Sequence, residues 1–300
     1  MKIAYTRTSL RLETREIIDH ANKIIQEYQQ AGYRITLRQL YYQFVSRNLI
    51  ENNSKSYQRL NTAIGKGRMC GKIDWDAIED RTRNLVSLSH WDSPCEIIEA
   101  CATQYHLDLW QDQENRVEVW IEKDALVGVI EKTCRYWDCA YMSCRGYASL
   151  SEMHKAALRI IEANEAGYEY VILYAGDHDP SGSDMSRDIQ QRLETFGADF
   201  DFKRIALNLG QVRDHELPPN RIKETDSRSQ KYQHRFGNEC WELDALPPSK
   251  LNKIIERSIF EYIDDYPAFT ARREEIETTK QQLAMIAEEY PVIVQLLEVN

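Results

Sequence analysis

The chain has 300 residues, 42% hydrophobic and 29% charged, with a formal net charge of −10. That length accommodates two modest domains, each with its own core. No window of about 18 apolar residues occurs, which excludes a helical membrane span, and the N-terminal "MKIAYTRTSLRLETREII" lacks the apolar centre of a secretory signal.

Residues 12–31 place Ile17, Ile18, Ala21, Ile24, Ile25 and Tyr28 on one helical face, and Gly32 stops the helix. In "ITLRQLYYQFVSRNLI", Thr36 is placed as an N-cap, and Leu37, Leu40, Tyr41, Phe44 and Val45 form an apolar stripe. After a turn at "ENN", "SKSYQRLNTAIGKGRMCGKI" predicts a third helix, capped by Ser54 or Ser56, with Tyr57, Leu60 and Ile64 inward. Three short helices ending in a basic one suit a helix-turn-helix module of the winged type over residues 1–92. "RTRNLVSLSHWDSP" would supply the wing and the exit.

The average charge hides an asymmetry. Arg34, Arg38, Arg47, Lys55, Arg59, Lys66, Arg68 and Lys72 face a single acid, Glu51, within residues 34–73, a local +7, whereas residues 261–300 carry a local −6. A basic stripe inside an acidic chain reads as phosphate contact. A solvated charged face is the plainer alternative. Arg34, Lys55, Arg59, Lys66 and Arg68 are the candidate contacts to double-stranded DNA.

Residues 93–115 read as a helix followed by a polar linker ending in "QDQEN". From residue 116 the pattern changes. Strands "RVEVWIE", "CAYMSC", "YEYVILYAGD" and "DFKRIALN" alternate with helices "KDALVGVIEKTCRYW", "SLSEMHKAALRIIEANEAG" and "SDMSRDIQQRLETFG". Such alternation predicts an α/β domain over 116–300, a Rossmann-like, mostly parallel sheet with C-terminal helices. "CWELDAL" suits one further strand, "PPSKLNKIIERSIFEYI" a helix entered through prolines, and the remainder an acidic helix. Seven scattered cysteines argue for a reducing cytoplasm over a disulfide framework. Cys134, Cys139 and Cys144 read as core, since no CxxC pair accompanies them.

"YAGDHDPSGSD", residues 174–184, carries the densest chemistry: Asp177, Asp179 and Asp184 follow an apolar strand directly. Like charges at that density repel, and burial makes them worse. A neutralising cation would relieve them, and so would a solvated turn. In open parallel sheets function gathers at the carboxyl ends of strands. Glu122 closes one strand and Asp177 another, and Asp179, two residues on, leans toward the same edge. Three such carboxylates suit one or two Mg2+ or Mn2+ ions, which stabilise charge on a transferring phosphate. Gly176 permits a tight backbone, and Pro180 and Gly182 fix the turn that follows. His178 is expected to point the other way.

A strand ending in Glu, followed later by a strand ending in DxD, resembles a Toprim domain. "WIEKDAL", "CRGYAS" and "GDHDPSG" together resemble the A subunit of topoisomerase VI, a type IIB enzyme, and the related meiotic double-strand-break transesterase, over roughly residues 35–250. The resemblance implies a winged helix before the Toprim domain, with Glu122, Asp177 and Asp179 as metal ligands. "RQLYY" is similar to the family's R-x-x-Y/F-Y motif, which makes Tyr42 the nucleophile and Arg38 the motif arginine. Also implied are a homodimer, in which the tyrosine of one subunit works with its partner's metal, and a separate ATPase partner. Only about 35 residues precede the winged-helix region, so the chain reads as a reduced, stand-alone relative. No "GxxxxGK[ST]" occurs, so ATP hydrolysis by this chain is not expected.

A tyrosine with a pKa of about 10 is a poor nucleophile at neutral pH; a metal ion and Arg38 would steady its phenolate. Tyr41 and Tyr42 cannot both face one core, and spacing gives Tyr41 to the apolar stripe. Tyr42 is left for catalysis or, in the plainer alternative, for packing. Two other readings stand beside the transesterase: a Toprim nuclease using water, with Tyr42 structural, and a non-catalytic DNA-binding protein. Lys123, Asp124 and Arg145 lie in family-like segments without an assigned role. Glu242 and Asp244 either support the metal site or end a strand.

Overall fold

The computed structural model describes residues 2–79, 88–222 and 228–298. Residues 81–87 of the expected wing lie outside them. Helix α1 (Leu12–Gln30) buries Ile18, Ala21, Ile24, Ile25 and Tyr28, the face that its periodicity predicts. Strand β1 (Ile35–Thr36) leads into α2 (Leu37–Ser46), whose start is fixed by a capping box: Thr36 Oγ1 accepts from Gln39 N at 3.2 Å, and Gln39 Oε1 accepts from Thr36 N at 2.8 Å. Helix α3 (Ser54–Met69) is capped by Asn53, not by a serine, because Asn53 Oδ1 accepts from Ser56 N at 2.8 Å. β1 pairs in parallel with β2 (Ile78–Glu79), and the three helices close on a core that includes Ile24, Leu40, Phe44, Leu60 and Ile64.

Helix α4 (Pro94–Gln104) occupies the first half of the expected helix-plus-linker stretch. The alternation then runs as the sequence predicts: β3 (Asn115–Ile121), α5 (Val127–Tyr136), β4 (Ala140–Ser143), α6 (Leu150–Glu165), β5 (Glu169–Ala175), α7 (Pro180–Thr195) and β6 (Asp201–Ala206). The four strands are parallel, in the order β4-β3-β5-β6. Side chains alternate between two cores. Val117, Val119, Ile121, Val171 and Leu173 face one side, and Trp120, Ile172 and Tyr174 face the other. Helix α7 starts three residues before the predicted "SDMSRD", with Asp179 as N-cap and Pro180 in its first turn.

Beyond the sheet come α8 (Leu209–Asp214), β7 (Asn220–Arg221), α9 (Ser229–Phe236) and β8 (Glu239–Cys240). β7 and β8 pair antiparallel, so "CWELDAL" adds a two-residue strand outside the main sheet. A one-turn helix at Leu243–Ala245 follows, then α10 (Pro248–Phe260) and α11 (Tyr266–Glu298), which packs along α4. No helix among the described residues is long and apolar enough to cross a membrane. Thr36→Ala removes half of the α2 capping box and is expected to cost about 1 kcal/mol, read as a lower urea midpoint with an unchanged slope.

Candidate active site

β3 and β5 are neighbours in a register that pairs Ile121 with Ala175, so Glu122 and Gly176-Asp177 leave the sheet side by side. Glu122 Oε2 accepts from Asp177 N at 2.8 Å. Two glycines make room for this approach. A Cβ on Gly176 would lie 2.7 Å from Glu122 Oε2, and one on Gly182 would lie 2.2 Å from the Asp177 carbonyl. Arg204 pins the same turn, donating to the carbonyls of Gly176 at 3.0 Å and Asp177 at 2.5 Å. Asp179 Oδ1 accepts from Gly182 N at 2.6 Å as the cap of α7. Asp184 turns aside to Arg187, 2.7 Å away. His178 also points away, toward the Tyr232 hydroxyl and the rings of Phe236 and Trp241.

The cation that this acidic edge calls for is a side chain. Lys123 Nζ lies 3.0 Å from Asp177 Oδ2, 2.7 Å from Glu242 Oε2 and 2.8 Å from Asp244 Oδ2. Burial alone would depress the Lys123 pKa, but Asp244, Asp177 and Glu242 together hold it well above the ordinary value. Asp177 is pushed well up by burial despite Lys123. Burial also raises Glu122 and Asp179, and the Asp179 charge adds to the rise at Glu122. Glu242 goes the other way: burial opposes its ionisation, but the charge and hydrogen bond of Lys123 hold it below the usual value.

Helix α2 presses on this cluster from the helical half, against the turns at Asp124–Leu126 and Leu243–Ala245. It therefore has two buried sides, and the expectation that only one tyrosine faces inward is corrected. Tyr41 and Tyr42 are 5% and 7% exposed. The Tyr41 hydroxyl donates to Asn52 Oδ1 at 2.9 Å. Tyr42 faces the acids of its own chain: Lys123 Nζ sits 5.3 Å from its ring centroid, and Arg38 Nη2 donates to its hydroxyl at 3.4 Å. The Arg38 guanidinium is also 3.9 Å from both Glu242 Oε2 and Asp244 Oδ2. Burial raises the Tyr42 pKa, Lys123 opposes the rise, and Glu242 reinforces it. Tyrosine and carboxylates thus meet within one chain.

The site opens into a cleft of about 1050 Å³ lined by Arg38, Tyr42, Tyr57, Asp179, Arg221 and Arg228 among others. The predicted basic residues divide. Lys55, Arg59 and Lys66 are exposed on α3 and line a groove of about 500 Å³ against α1, where Arg59 pairs with Glu13. Arg34 is exposed ahead of β1. Arg68 is withdrawn from that face: its Nη2 donates to the carbonyls of Trp75 at 2.9 Å and Ile78 at 2.6 Å, anchoring the turn into β2. Sequence reasoning gave Lys123 no role and missed Arg204, Arg221 and Arg228.

Among the described residues no group of three or more His, Cys, Asp or Glu side chains is arranged to hold a metal ion. Glu122, Asp177 and Asp179 share one edge, but both Asp177 oxygens are committed, Oδ1 to Leu243 N at 2.8 Å and Oδ2 to Lys123. Among the described residues, Glu122 and Asp179 each keep a carboxylate oxygen outside these bonds, and Asp244 Oδ1 is buried without a hydrogen-bond partner. Hard oxygen donors of this kind are what Mg2+ and Mn2+ prefer, so Glu122 and Asp179 fit such an ion best. Comparison of the chain with protein-family models, with curated proteins and with solved structures gives no match.

Replacing Lys123 by Met leaves three carboxylates without their cation and is expected to cost about 3–5 kcal/mol. With Lys123 gone, burial would leave the Asp177 and Glu242 carboxyls above their unfolded-chain values. The penalty is therefore largest at neutral pH and shrinks as pH falls through the raised carboxylate range. Denaturant titrations of Lys123→Met across that range check both the size and the sign.

Proposed function

We propose that the chain breaks DNA strands by transesterification at Tyr42, as a reduced relative of the topoisomerase VI A-subunit family. The observation that carries this reading is the constellation of Tyr42, Arg38, Lys123 and Glu242 on the same cleft as Asp179. In the proposed step Tyr42 Oη bonds to phosphorus and the bond from phosphorus to one sugar oxygen breaks. The Tyr42 proton passes to Glu242, which Lys123 keeps ionised, and the departing sugar oxygen takes its proton from solvent water in the open cleft. Arg38 beside the hydroxyl offsets charge on the phenolate and on the phosphate. Mg2+ or Mn2+ held by Glu122 and Asp179 would supply further charge stabilisation at the phosphate. The first three helices serve as the winged-helix-like DNA-binding module, with Lys55, Arg59 and Lys66 along the duplex backbone.

A second reading has its own support. The burial of Tyr42, and the upward shift of its pKa that burial causes, favour a nuclease in which water attacks and Tyr42 is structural. Plasmid incubated with Mg2+ or Mn2+, quenched with detergent and run with and without protease, separates the two. Transesterification leaves protein covalently bound to a broken end, and the nuclease leaves free ends. Tyr42→Phe is expected to abolish the adduct and lower cleavage by more than about 1,000-fold; normal cutting by this variant would establish water as the nucleophile. Mixing Tyr42→Phe with Asp177→Ala chains tests the family's shared-site arrangement: the contacts of Tyr42 with Lys123 of its own chain favour a site formed in cis, for which no cleavage should be restored. Lys55→Gln combined with Arg59→Gln is expected to weaken duplex binding regardless of sequence. The slope of log affinity against log salt should fall by about 2.

A further inference from the structure

Resting on the metal part of the proposed function, we infer that Arg204 is a positioning residue for the divalent ion, setting Asp179 against Glu122. Each of these two candidate ligands leans on a backbone N–H. Glu122 Oε2 accepts from Asp177 N at 2.8 Å, and Asp179 Oδ1 accepts from Gly182 N at 2.6 Å. The carbonyls of the same two residues accept from one guanidinium. Arg204 Nη2 donates to the Asp177 carbonyl at 2.5 Å, and Arg204 Nη1 donates to the Gly182 carbonyl at 3.2 Å. Asp177 and Gly182 are thus gripped from both sides, by a candidate ligand on the N–H and by Arg204 on the C=O. The grip extends outward in both directions, to the Gly176 carbonyl at 3.0 Å and the Ser186 hydroxyl at 2.6 Å. A single planar fork therefore spans the exit of β5 and the first turns of α7.

The guanidinium is built into this place. β5 and β6 pair Tyr174 with Arg204, so both side chains leave the same face of the sheet, and the guanidinium lies 5.6 Å from the Tyr174 ring centroid. Tyr174 is fully buried and reaches up to Gly176, where an added Cβ would lie 2.7 Å from its hydroxyl. Arg204 is thus confined between an aromatic ring and the turn. Its four hydrogen bonds among the described residues all go to neutral oxygens, so its work there is geometric rather than ion pairing. That geometry matters because Glu122 and Asp179 come from different elements: Glu122 follows β3, and Asp179 caps α7. Their separation depends on the short turn from Asp177 to Gly182. Among the described residues, Arg204 is the one side chain that donates to carbonyls at both ends of that turn. Partners of this kind, one step behind the residues that touch an ion, typically set about 10–100-fold of a site's affinity.

The test is the Mn2+ affinity of the full chain without DNA, read from the electron paramagnetic resonance signal of free Mn2+. Arg204→Ala is expected to weaken Mn2+ binding by about 10–100-fold. Arg204→Lys should not recover it, because one ammonium cannot span both ends of the turn. Added guanidinium should restore part of the affinity of Arg204→Ala and leave the wild type unchanged. Thr36→Ala is the control for lost stability: it weakens the fold far from the turn and should keep Mn2+ affinity within about twofold. If circular dichroism shows Arg204→Ala unfolded, Ser186→Ala takes its place. That change removes one of the four contacts, with an expected loss of about fivefold, the worth of one hydrogen bond. Affinity within about twofold of wild type in the variant used, full recovery by Arg204→Lys, or no response of Arg204→Ala to guanidinium overturns the inference and leaves the cleavage reading standing. A wild-type chain that binds no Mn2+ overturns the inference and the metal part of the reading together. Mn2+ binding that depends on Arg204, in a chain that cuts no DNA, supports the inference and counts against cleavage.

Discussion

A single ammonium group holds the carboxyl edge of the sheet together. Lys123 touches carboxylates from two separate parts of the chain: Asp177 just beyond β5, and Glu242 and Asp244, the first preceding and the second within a one-turn helix. Desolvating an ammonium costs several kcal/mol, and desolvating each carboxylate costs as much again. Three contacts at 3.0 Å or less offset that cost only because the partners converge on one nitrogen. The lysine also settles how the acids of this edge divide. Asp177 and Asp244 are tied to Lys123, whereas Glu122 and Asp179 carry backbone hydrogen bonds from Asp177 and Gly182. Because the cation is part of the chain, the edge can fold before any divalent ion arrives.

The same lysine couples the two halves of the molecule. Its ammonium lies over the Tyr42 ring, and Tyr42 belongs to a helix whose other side fills the N-terminal core. Helix α2 is therefore a shared wall, packed on Leu40 and Phe44 on one side and on the acidic edge on the other. This explains why its length is governed so tightly. The capping box at Thr36 fixes where the helix begins, and so fixes which turn carries Arg38 and Tyr42 to the cluster. A slip of one residue would rotate Tyr42 by about 100° away from Lys123.

Much of this was legible in the sequence. Alternating apolar runs and amphipathic segments predicted the parallel sheet, because strands buried on both faces must be apolar throughout. The juxtaposition of Glu122 with Asp177 was legible too, since both close buried strands of one parallel sheet, whose carboxyl ends lie along one edge. Arg38 and Tyr42, four residues apart on one helix, were legible as a pair. Lys123 was not, because its meaning lies in partners 119 and 121 residues downstream, in a segment without periodicity. Arg68 misled for a similar reason: charge counts see its guanidinium but not the two carbonyls that claim it. The Asn53 cap and the early start of α7 at Pro180 were local choices between neighbouring good candidates, which only the tertiary path decides. Arg221 and Arg228 lie in short, irregular pieces of chain, where no pattern exists to read.

Two cations beside Tyr42 divide the work by their freedom to move. The Lys123 side chain is 13% exposed and held by three short contacts, whereas the Arg38 side chain is 56% exposed and stands 3.9 Å from its two carboxylates. Long, solvated contacts of that kind contribute little, about 1 kcal/mol or less. A phosphate entering the cleft can therefore draw the guanidinium toward itself, since a bidentate arginine–phosphate pair is stronger than either long contact. Lys123 stays where it is, because leaving would strand three carboxylates. In the proposed reaction Arg38 would bridge an entering phosphate and the Tyr42 hydroxyl it already contacts, while Glu242 stays ionised on Lys123. Under the proposed transesterification, burial would keep Tyr42 protonated in the free chain, and bond breakage would depend on a phosphate entering the cleft.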